Sequence, residues 1–226
     1  PIKSCGAYKV RTKWPLTSRG LKFDREWMIV KSNGVALTQK DDTKLCLISP
    51  MINIENGYLE LAFPYMKSVR VLLDIDKDED QLLASFCQSK VCGDRIEGID
   101  CGEEVADWLS DALCTDGLRL IRQSESDTRS LKSNSAEANS QKQSISLSNQ
   151  AQFLLINITT VEWLISKVDA WCDADVKYDH LDNVVDRFRG NLIVQAPDVS
   201  EELEWKSIRI GAVTLTAGRP CTRCQM

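Results

Sequence analysis

Histidine is almost absent from this chain, since His180 is the single one among 226 residues. One histidine excludes sites that need two imidazoles, and with them the histidine-rich zinc centres. No apolar run approaches the roughly 20 residues that a membrane-spanning helix needs, and no secretory signal opens the chain. The sequence therefore predicts a cytoplasmic protein with no membrane partner.

A strong charge of one sign is also absent. Lys and Arg number 28 against 33 for Asp and Glu, and 43% of the residues are hydrophobic. This is an ordinary globular composition, and its mild acidity argues against nucleic acid as a partner. Walker loops and G-x-G-x-x-G, H-E-x-x-H and G-x-S-x-G motifs are missing as well, which removes the most recognisable enzyme classes.

Cysteine, in contrast, is abundant, with nine residues. An odd number leaves one over in any closed disulfide framework, and cytosolic thiols stay reduced. The cysteines are therefore expected to be packing residues, metal ligands or reactive thiols. Cys5, Cys46, Cys114 and Cys172 lie in apolar surroundings and are expected in the core.

Short strands are predicted through the first hundred residues. Asn33-Gly34 and Asn56-Gly57 each separate two apolar runs and predict hairpins. Further strands are expected over 44–49, where Pro50 would end the strand, and over 68–75. Strands at this spacing are typical of a small barrel or sandwich.

An amphipathic helix follows these strands. Its apolar stripe consists of Val105, Trp108, Leu109, Ala112 and Leu113. Asp100 is expected to cap the start of this helix, and Asp116-Gly117 to end it. A returning strand is expected over 118–121.

A serine-rich stretch over 123–148 divides the chain. It contains few large apolar side chains, so we expect a flexible loop or linker between a domain over 1–122 and another over 149–226. In the second domain, Thr159-x-x-Glu162 is a capping box that predicts a helix through Ala170. Strands are predicted over 153–156, 191–195, 205–210 and 213–217.

The most specific motif is Cys221-x-x-Cys224, with Pro220 before it and Arg223 inside it. A guanidinium group lowers the pKa of a neighbouring thiol. Four interpretations stay open: half of a zinc site completed by Cys87 and Cys92, a redox pair, a thiolate ligand for a soft metal, or packed cysteines.

Two further groups of residues are candidates. Lys3, Arg25 and the basic run 187–191 could bind an anion, because arginine suits phosphate oxygens. Asp100-Cys101-Gly102 opens the amphipathic helix, where a helix N-terminus would lower a thiol pKa. A buried structural Cys101 is the alternative that we favour.

These residues resemble a known family. Pro1-Ile2-Lys3-Ser4-Cys5 and the motifs around Asp24-Arg25 and Asp100-Cys101-Gly102 resemble the N-terminal β-barrel domain that precedes MOSC domains. The runs from Ser148 to Asn157, from Arg187 to Asn191 and from Trp205 to Gly211, and the ending Pro220-Cys221-x-Arg223-Cys224-Gln225-Met226, resemble the MOSC domain. The whole is most similar to the C-terminal region of eukaryotic molybdenum cofactor sulfurases.

The resemblance implies a strand-rich α+β fold, with a small β-barrel-like domain before a MOSC β-barrel domain that would continue past Met226. It also implies sulfur transfer to the molybdenum cofactor, which activates xanthine dehydrogenase and aldehyde oxidase. A pyridoxal-phosphate desulfurase part, absent from this sequence, would supply a persulfide and could form a homodimer. The alternatives are an amidoxime-reducing molybdenum oxidoreductase and a non-catalytic cofactor carrier.

The resemblance assigns roles residue by residue. Cys224 corresponds to the cysteine that ligates molybdenum or carries the persulfide, and Arg223 and Thr222 form the loop beside it. The other matched residues line the site for the pterin phosphate of molybdopterin: Lys3, Ser4, Arg25, Arg189 and Asn191.

Overall fold

The computed structural model describes residues 1–74, 86–91, 94–130, 143–148, 150–168 and 177–221, and only the backbone of residues 86–91, 94–95 and 177–180. Two compact units divide these residues, one over Pro1–Gln152 and one over Phe153–Met226. None of the described helices is long and apolar enough to cross a membrane.

Unit 1 contains nine described strands and one α-helix. The strands are β1 (Leu16–Thr17), β2 (Gly20–Leu21), β3 (Trp27–Val30), β4 (Ser49–Asn53), β5 (Tyr58–Ala62), β6 (Val69–Leu72), β7 (Phe86–Val91), β8 (Asp94–Asp100) and β9 (Arg119–Gln123); the helix is α1 (Glu103–Leu113). They form an antiparallel four-stranded sheet in the order β3-β9-β8-β7, a three-stranded sheet in the order β4-β5-β6, and the β1-β2 pair. No closed barrel occurs among the described strands of this unit.

Helix α1 has the predicted apolar stripe. Val105, Leu109 and Leu113 are at most 2% exposed and belong to the main core of unit 1. The helix packs on β9 and β6, so its burial joins the two larger sheets. Its ends differ from the prediction, because Gly102 is the N-cap and Cys114, in the left-handed region, is the C-cap.

Both predicted hairpin turns are confirmed. Gly34 and Gly57 have φ angles of 74° and 68°, a region that side chains with a Cβ rarely adopt. At the first turn, Gly34 N donates to Lys31 O at 2.8 Å, and a bridge joins Val30 to Ala36. At the second turn, strands β4 and β5 pair directly.

The strand predicted over 44–49 is wrong. Thr43–Leu47 is a 3₁₀ helix whose first turn is capped by Asp42, which accepts a hydrogen bond from Lys44 N. Pro50 does not end a strand but lies within β4. It is tolerated there because β4 is an edge of its sheet.

Unit 2 contains a parallel strand pair and two described α-helices. Its elements are β10 (Leu155–Asn157), α2 (Ile158–Ile165), α3 (Lys177–Phe188), β11 (Leu192–Val194), β12 (Ser207–Ile210) and β13 (Val213–Thr216). Strand β10 pairs in parallel with β11, and β12 forms an antiparallel hairpin with β13. A parallel pair needs a crossover connection, and α2 and α3 lie within that connection. Helix α3 was not predicted, and it includes His180.

The expected architecture is confirmed at the level of a strand-rich α+β fold with several small sheets. Residues 123–148 were expected to form a linker. Residues 131–142 of this segment lie outside the described residues, whereas 123–130 and 143–148 are described. In those parts Ile145 and Leu147 are at most 2% exposed, and a bridge joins Ser130 to Ser144. Both flanks are therefore packed within unit 1.

Candidate functional site

Lys3 lies in a tight turn at the start of unit 1. Cys5 N donates to Ile2 O across the turn, and Lys3 N donates to Trp27 O at 2.8 Å. These bonds place the N-terminal residues beside the start of β3. Lys3 itself is only 8% exposed, and its Nζ donates to Leu147 O at 2.9 Å.

Arg25 lies directly before β3 and reaches the same residue. Its carbonyl oxygen accepts a hydrogen bond from Leu147 N at 2.9 Å, and its Nη1 forms an ion pair with Asp24 Oδ2 at 2.6 Å. Lys3 and Arg25, 22 positions apart in sequence, therefore converge on Leu147. The contact is made by the side chain of Lys3 and by the backbone carbonyl of Arg25, so the grouping of the two basic side chains in one anion site stays a prediction.

Three of the predicted site residues have a strained backbone. The φ angles of Ser4, Arg25 and Arg189 are 67°, 50° and 57°, in the left-handed region that costs an L-residue roughly 1–2 kcal/mol. Such strain persists where the surrounding structure imposes it, and it is concentrated at functional sites. Ser4 is held by Gln39, whose Nε2 donates to Ser4 O at 2.8 Å.

Arg189 and Asn191 lie in unit 2, between α3 and β11. Arg189 N donates to Asp186 O at 3.0 Å, as expected just past a helix end. Asn191 bonds to both backbone polar groups of Leu154. Its Oδ1 accepts a hydrogen bond from Leu154 N at 3.0 Å, and its own backbone N–H donates to Leu154 O at 2.7 Å. Gly190 allows this close approach, since a Cβ there would lie 2.5 Å from Ile156 Cγ1.

The C-terminal part of the predicted site cannot be placed in the same way. Thr222, Arg223 and Cys224 lie outside the described residues. Cys221 is described and is exposed. Cys92 of the alternative zinc site also lies outside, and the described residues contain no group of three or more His, Cys, Asp or Glu side chains that could hold a metal ion.

The surroundings of Cys101 disfavour the reactive thiolate form of its side chain. Burial and the neighbouring Asp100 carboxylate raise the pKa of the Cys101 thiol well above its ordinary value. Asp100 does not cap the helix as predicted; it accepts from Gly102 N at 2.9 Å and from Arg119 Nε at 2.7 Å. The favoured structural interpretation of Cys101 agrees with this geometry.

The other cysteines are less uniform than expected. Cys5 is fully buried, as predicted, but Cys46 and Cys114 are exposed. Cys46 lies in the 3₁₀ helix and Cys114 at the end of α1, so the apolar sequence around each does not bury it. Cys172 lies outside the described residues.

Sequence reasoning missed the polar centre of unit 2. Asn157 is 1% exposed and uses both ends of its amide. Its Oδ1 accepts from Thr159 N and Ala196 N, and its Nδ2 donates to Asp198 O and to Glu202 Oε2. Asn157, rather than Thr159, is therefore the N-cap of α2. The sequence signal for this cap was an asparagine directly after an apolar strand, since asparagine is a preferred N-cap residue.

A buried arginine in unit 1 was missed as well. Arg129 is 7% exposed, and its Nη1 donates to Ser146 O at 2.5 Å and to Ser148 O at 2.6 Å. These two residues flank Leu147, the residue that Lys3 and Arg25 share. Arg129 lies in the serine-rich stretch, where its composition gave no indication of burial.

Comparison with known proteins matches both halves of the chain. The model of the MOSC N-terminal beta barrel domain matches residues 1–116, and that of the MOSC domain matches residues 142–226. Molybdenum cofactor sulfurase 3 of Aedes aegypti is 49% identical over all 226 residues, which cover 28% of that protein. The molybdenum cofactor sulfurases of Bombyx mori and Drosophila melanogaster are 48% and 44% identical over the whole chain, which covers 27% and 26% of their lengths.

The chain therefore spans little more than a quarter of the length of these relatives. Among solved structures, a solution structure of a Bordetella bronchiseptica protein is 22% identical, with a TM-score of 0.38, over 52% of this chain and 91% of that one. That likeness is too low to support an argument about the site.

Proposed function

We propose that this chain, which belongs to the family with a MOSC N-terminal beta barrel domain followed by a MOSC domain, is the part of a molybdenum cofactor sulfurase that binds the cofactor as its substrate. The observation that carries this proposal is the convergence of Lys3 and Arg25 on Leu147. Lys3 is buried and the side chain of Arg25 is 18% exposed, and basic side chains of this kind suit a phosphate oxygen. The amidoxime-reducing and carrier alternatives are not favoured, because the relatives reported above carry the sulfurase name.

The residues fit a molybdopterin substrate in their chemistry. Of the residues proposed for the pterin phosphate, Lys3, Arg25 and Arg189 offer positive charge and donors, and Ser4 and Asn191 offer neutral donors. Cys224 supplies the thiol that carries sulfur or ligates molybdenum. Arg223 favours the thiolate form of that cysteine, and Thr222 completes the loop.

The wider role follows the same proposal. Within a longer protein, a pyridoxal-phosphate domain would supply sulfur as a persulfide, and the chain would belong to a cytoplasmic transferase that functions as a homodimer. Xanthine dehydrogenase and aldehyde oxidase would receive the sulfurated cofactor. The part of the reaction assigned to this chain is to bind the cofactor and present its molybdenum to the sulfur donor.

The first test is binding of the cofactor by the purified chain. Molybdenum cofactor released from a molybdoenzyme is added, and bound molybdenum and pterin are measured after gel filtration. We expect stoichiometric binding, weakened at least 10-fold by Arg25→Gln, because charge-assisted hydrogen bonds to phosphate are lost. The matched control is Arg70→Gln, since Arg70 is 62% exposed and pairs with Glu60. Absence of binding by the unmodified chain would refute the proposal.

The second test concerns Cys224. Cys224→Ser should retain cofactor binding but abolish cyanide-releasable sulfur on the bound cofactor when a persulfide donor is supplied. Cys46→Ser is the control, because Cys46 is exposed and lies in unit 1. Full sulfuration by the Cys224 variant would contradict the role assigned to that thiol.

A further inference from the structure

Segment 145–148, which we call the strap, is held in unit 1 by the side chain and the backbone of Arg129. The guanidinium group donates to the carbonyl oxygens of Ser146 and Ser148. Ile145 N donates to Arg129 O at 3.2 Å. Ile145, Ser146, Leu147 and Ser148 are all less than 9% exposed. Because buried carbonyl oxygens need donors, Arg129 fixes the position of the strap.

Besides Arg129, the strap contacts two residues of the proposed cofactor site. Leu147, at its centre, donates its N–H to Arg25 O and accepts at its carbonyl oxygen from Lys3 Nζ, both at 2.9 Å. A displacement of the strap therefore moves the hydrogen-bond partner of both basic residues.

The backbone of Arg25 makes this dependence strong. Its φ angle of 50° is unfavourable for a residue with a Cβ, so the conformation must be imposed by its contacts. The bond from Leu147 N fixes the Arg25 peptide, and the ion pair with Asp24 fixes the side chain. Without the first of these bonds, the Arg25 peptide loses one of the contacts that hold it in this conformation.

We propose that Arg129 is a positioning residue for the anion site of unit 1 and acts through the strap on Lys3 and Arg25. This inference rests on the proposed function, because it assumes that those two residues bind the pterin phosphate. A guanidinium group is suited to the task, since its planar array of donors bonds two carbonyl oxygens in a fixed geometry. The ammonium group of lysine is a point charge without that planar geometry.

The test compares Arg129→Gln and Arg129→Lys in the full chain. Cofactor affinity is measured with molybdenum cofactor released from a molybdoenzyme, and folding is measured by thermal unfolding. We expect affinity to fall about 10-fold for the glutamine variant, which is the lower end of the loss found when a residue that orients ligand-binding groups is replaced. The loss should be smaller for the lysine variant. Hydrogen exchange at the Leu147 amide should accelerate in both variants, because the strap that contains this amide loses its fixed position.

A double-mutant cycle separates positioning from general stability. In an Arg25→Gln background, Arg129→Gln should weaken binding little further, since the group that it positions is already gone. The control is Arg19→Gln. Arg19 also clamps backbone carbonyls, of Ser124, Glu125 and Asp127, but none of them belongs to the strap; this variant should lower stability and leave affinity unchanged.

Each outcome decides the proposal. Unchanged affinity in a folded Arg129 variant overturns it, and so does full additivity with Arg25→Gln. If Arg129→Gln does not fold, Arg129→Lys alone decides by the same criterion. If the unmodified chain does not bind the cofactor, the proposed function fails and the positioning role fails with it; binding that is lost equally in the Arg19 and Arg129 variants would overturn only the positioning role.

Discussion

The Nζ atom of Lys3 donates a hydrogen bond to the carbonyl oxygen of Leu147 at 2.9 Å, across 144 positions of the chain. The bond joins the first turn of unit 1 to the end of the serine-rich stretch, and both residues are less than 9% exposed. A buried charged donor of this kind contributes about 1.5–3 kcal/mol to stability. The site proposed in unit 1 is therefore part of the packing of that unit.

Replacing Arg189 by glycine should separate stability from cofactor binding. Glycine adopts the φ angle of 57° without a steric cost, so the free energy of unfolding should rise, by up to about 1 kcal/mol. Cofactor affinity should fall, because a basic side chain is lost. The control is Ser200→Gly at a φ of 62° in the same unit, which should leave affinity unchanged; equal affinities in the two variants would remove Arg189 from the site.

Cys101 should resist alkylation in the folded chain. Burial and Asp100 raise the pKa of its thiol, and the thiolate is the form that reacts. With iodoacetamide at pH 8, peptide mapping should find the exposed Cys46 and Cys114 modified and Cys101 modified only after unfolding. Rapid labelling of Cys101 in the folded chain would contradict this and would favour the alternative of a thiol activated at the helix N-terminus.

Stability should depend on pH through Asp41. Hydrogen bonds from Lys31 and Thr38 lower the pKa of Asp41 from 3.8 to about 2. A depressed folded-state pKa stabilises the fold above the unfolded value, and that contribution disappears as the pH falls through the folded value. Asp41→Asn should therefore lower the thermal midpoint at pH 6 and lose most of this effect at pH 2. A difference that is equal at both pH values would contradict the assignment.

Asn157→Ala should destabilise unit 2 by about 3 kcal/mol, because four partners of a buried amide lose their hydrogen bonds. The affected groups include Ala196 N, Asp198 O and Glu202. Chemical denaturation measures the change. Asn53→Ala, in unit 1, is the control, since that side chain is only half-buried and unit 2 should retain its stability. A change below 1 kcal/mol at Asn157 would show that other contacts hold the loop after β11.

Local sequence signals predicted the regular elements where a strong physical cause acts over a few residues. The stripe of α1 and the turns at Gly34 and Gly57 depend on helical spacing and on a φ angle that glycine adopts freely. The strand predicted over 44–49 failed because the Asp42 side chain caps a 3₁₀ turn. An apolar run cannot reveal that competition between strand pairing and capping.

Burial within the serine-rich stretch could not be predicted from the sequence, for a related reason. Composition predicts that polar residues stay in water, yet Arg129 and Ser146 are buried because each satisfies a partner within unit 1. The residue types of the candidate site were predictable, since phosphate chemistry requires Lys and Arg. Their grouping was not, and the positions of Thr222, Arg223 and Cys224 stay predictions.

The sequence alone determined the kind of protein this is. One histidine, nine cysteines and the motifs at both ends of the chain indicated a site of guanidinium and thiol groups, because those groups are recognisable by type and spacing. Only the tertiary structure decided that Lys3 and Arg25 meet at Leu147 and that Arg129 holds the strap there. The bonds from Lys3 and Arg25 to Leu147 join residues more than a hundred positions apart and depend on how the whole unit packs, and no local pattern encodes that packing.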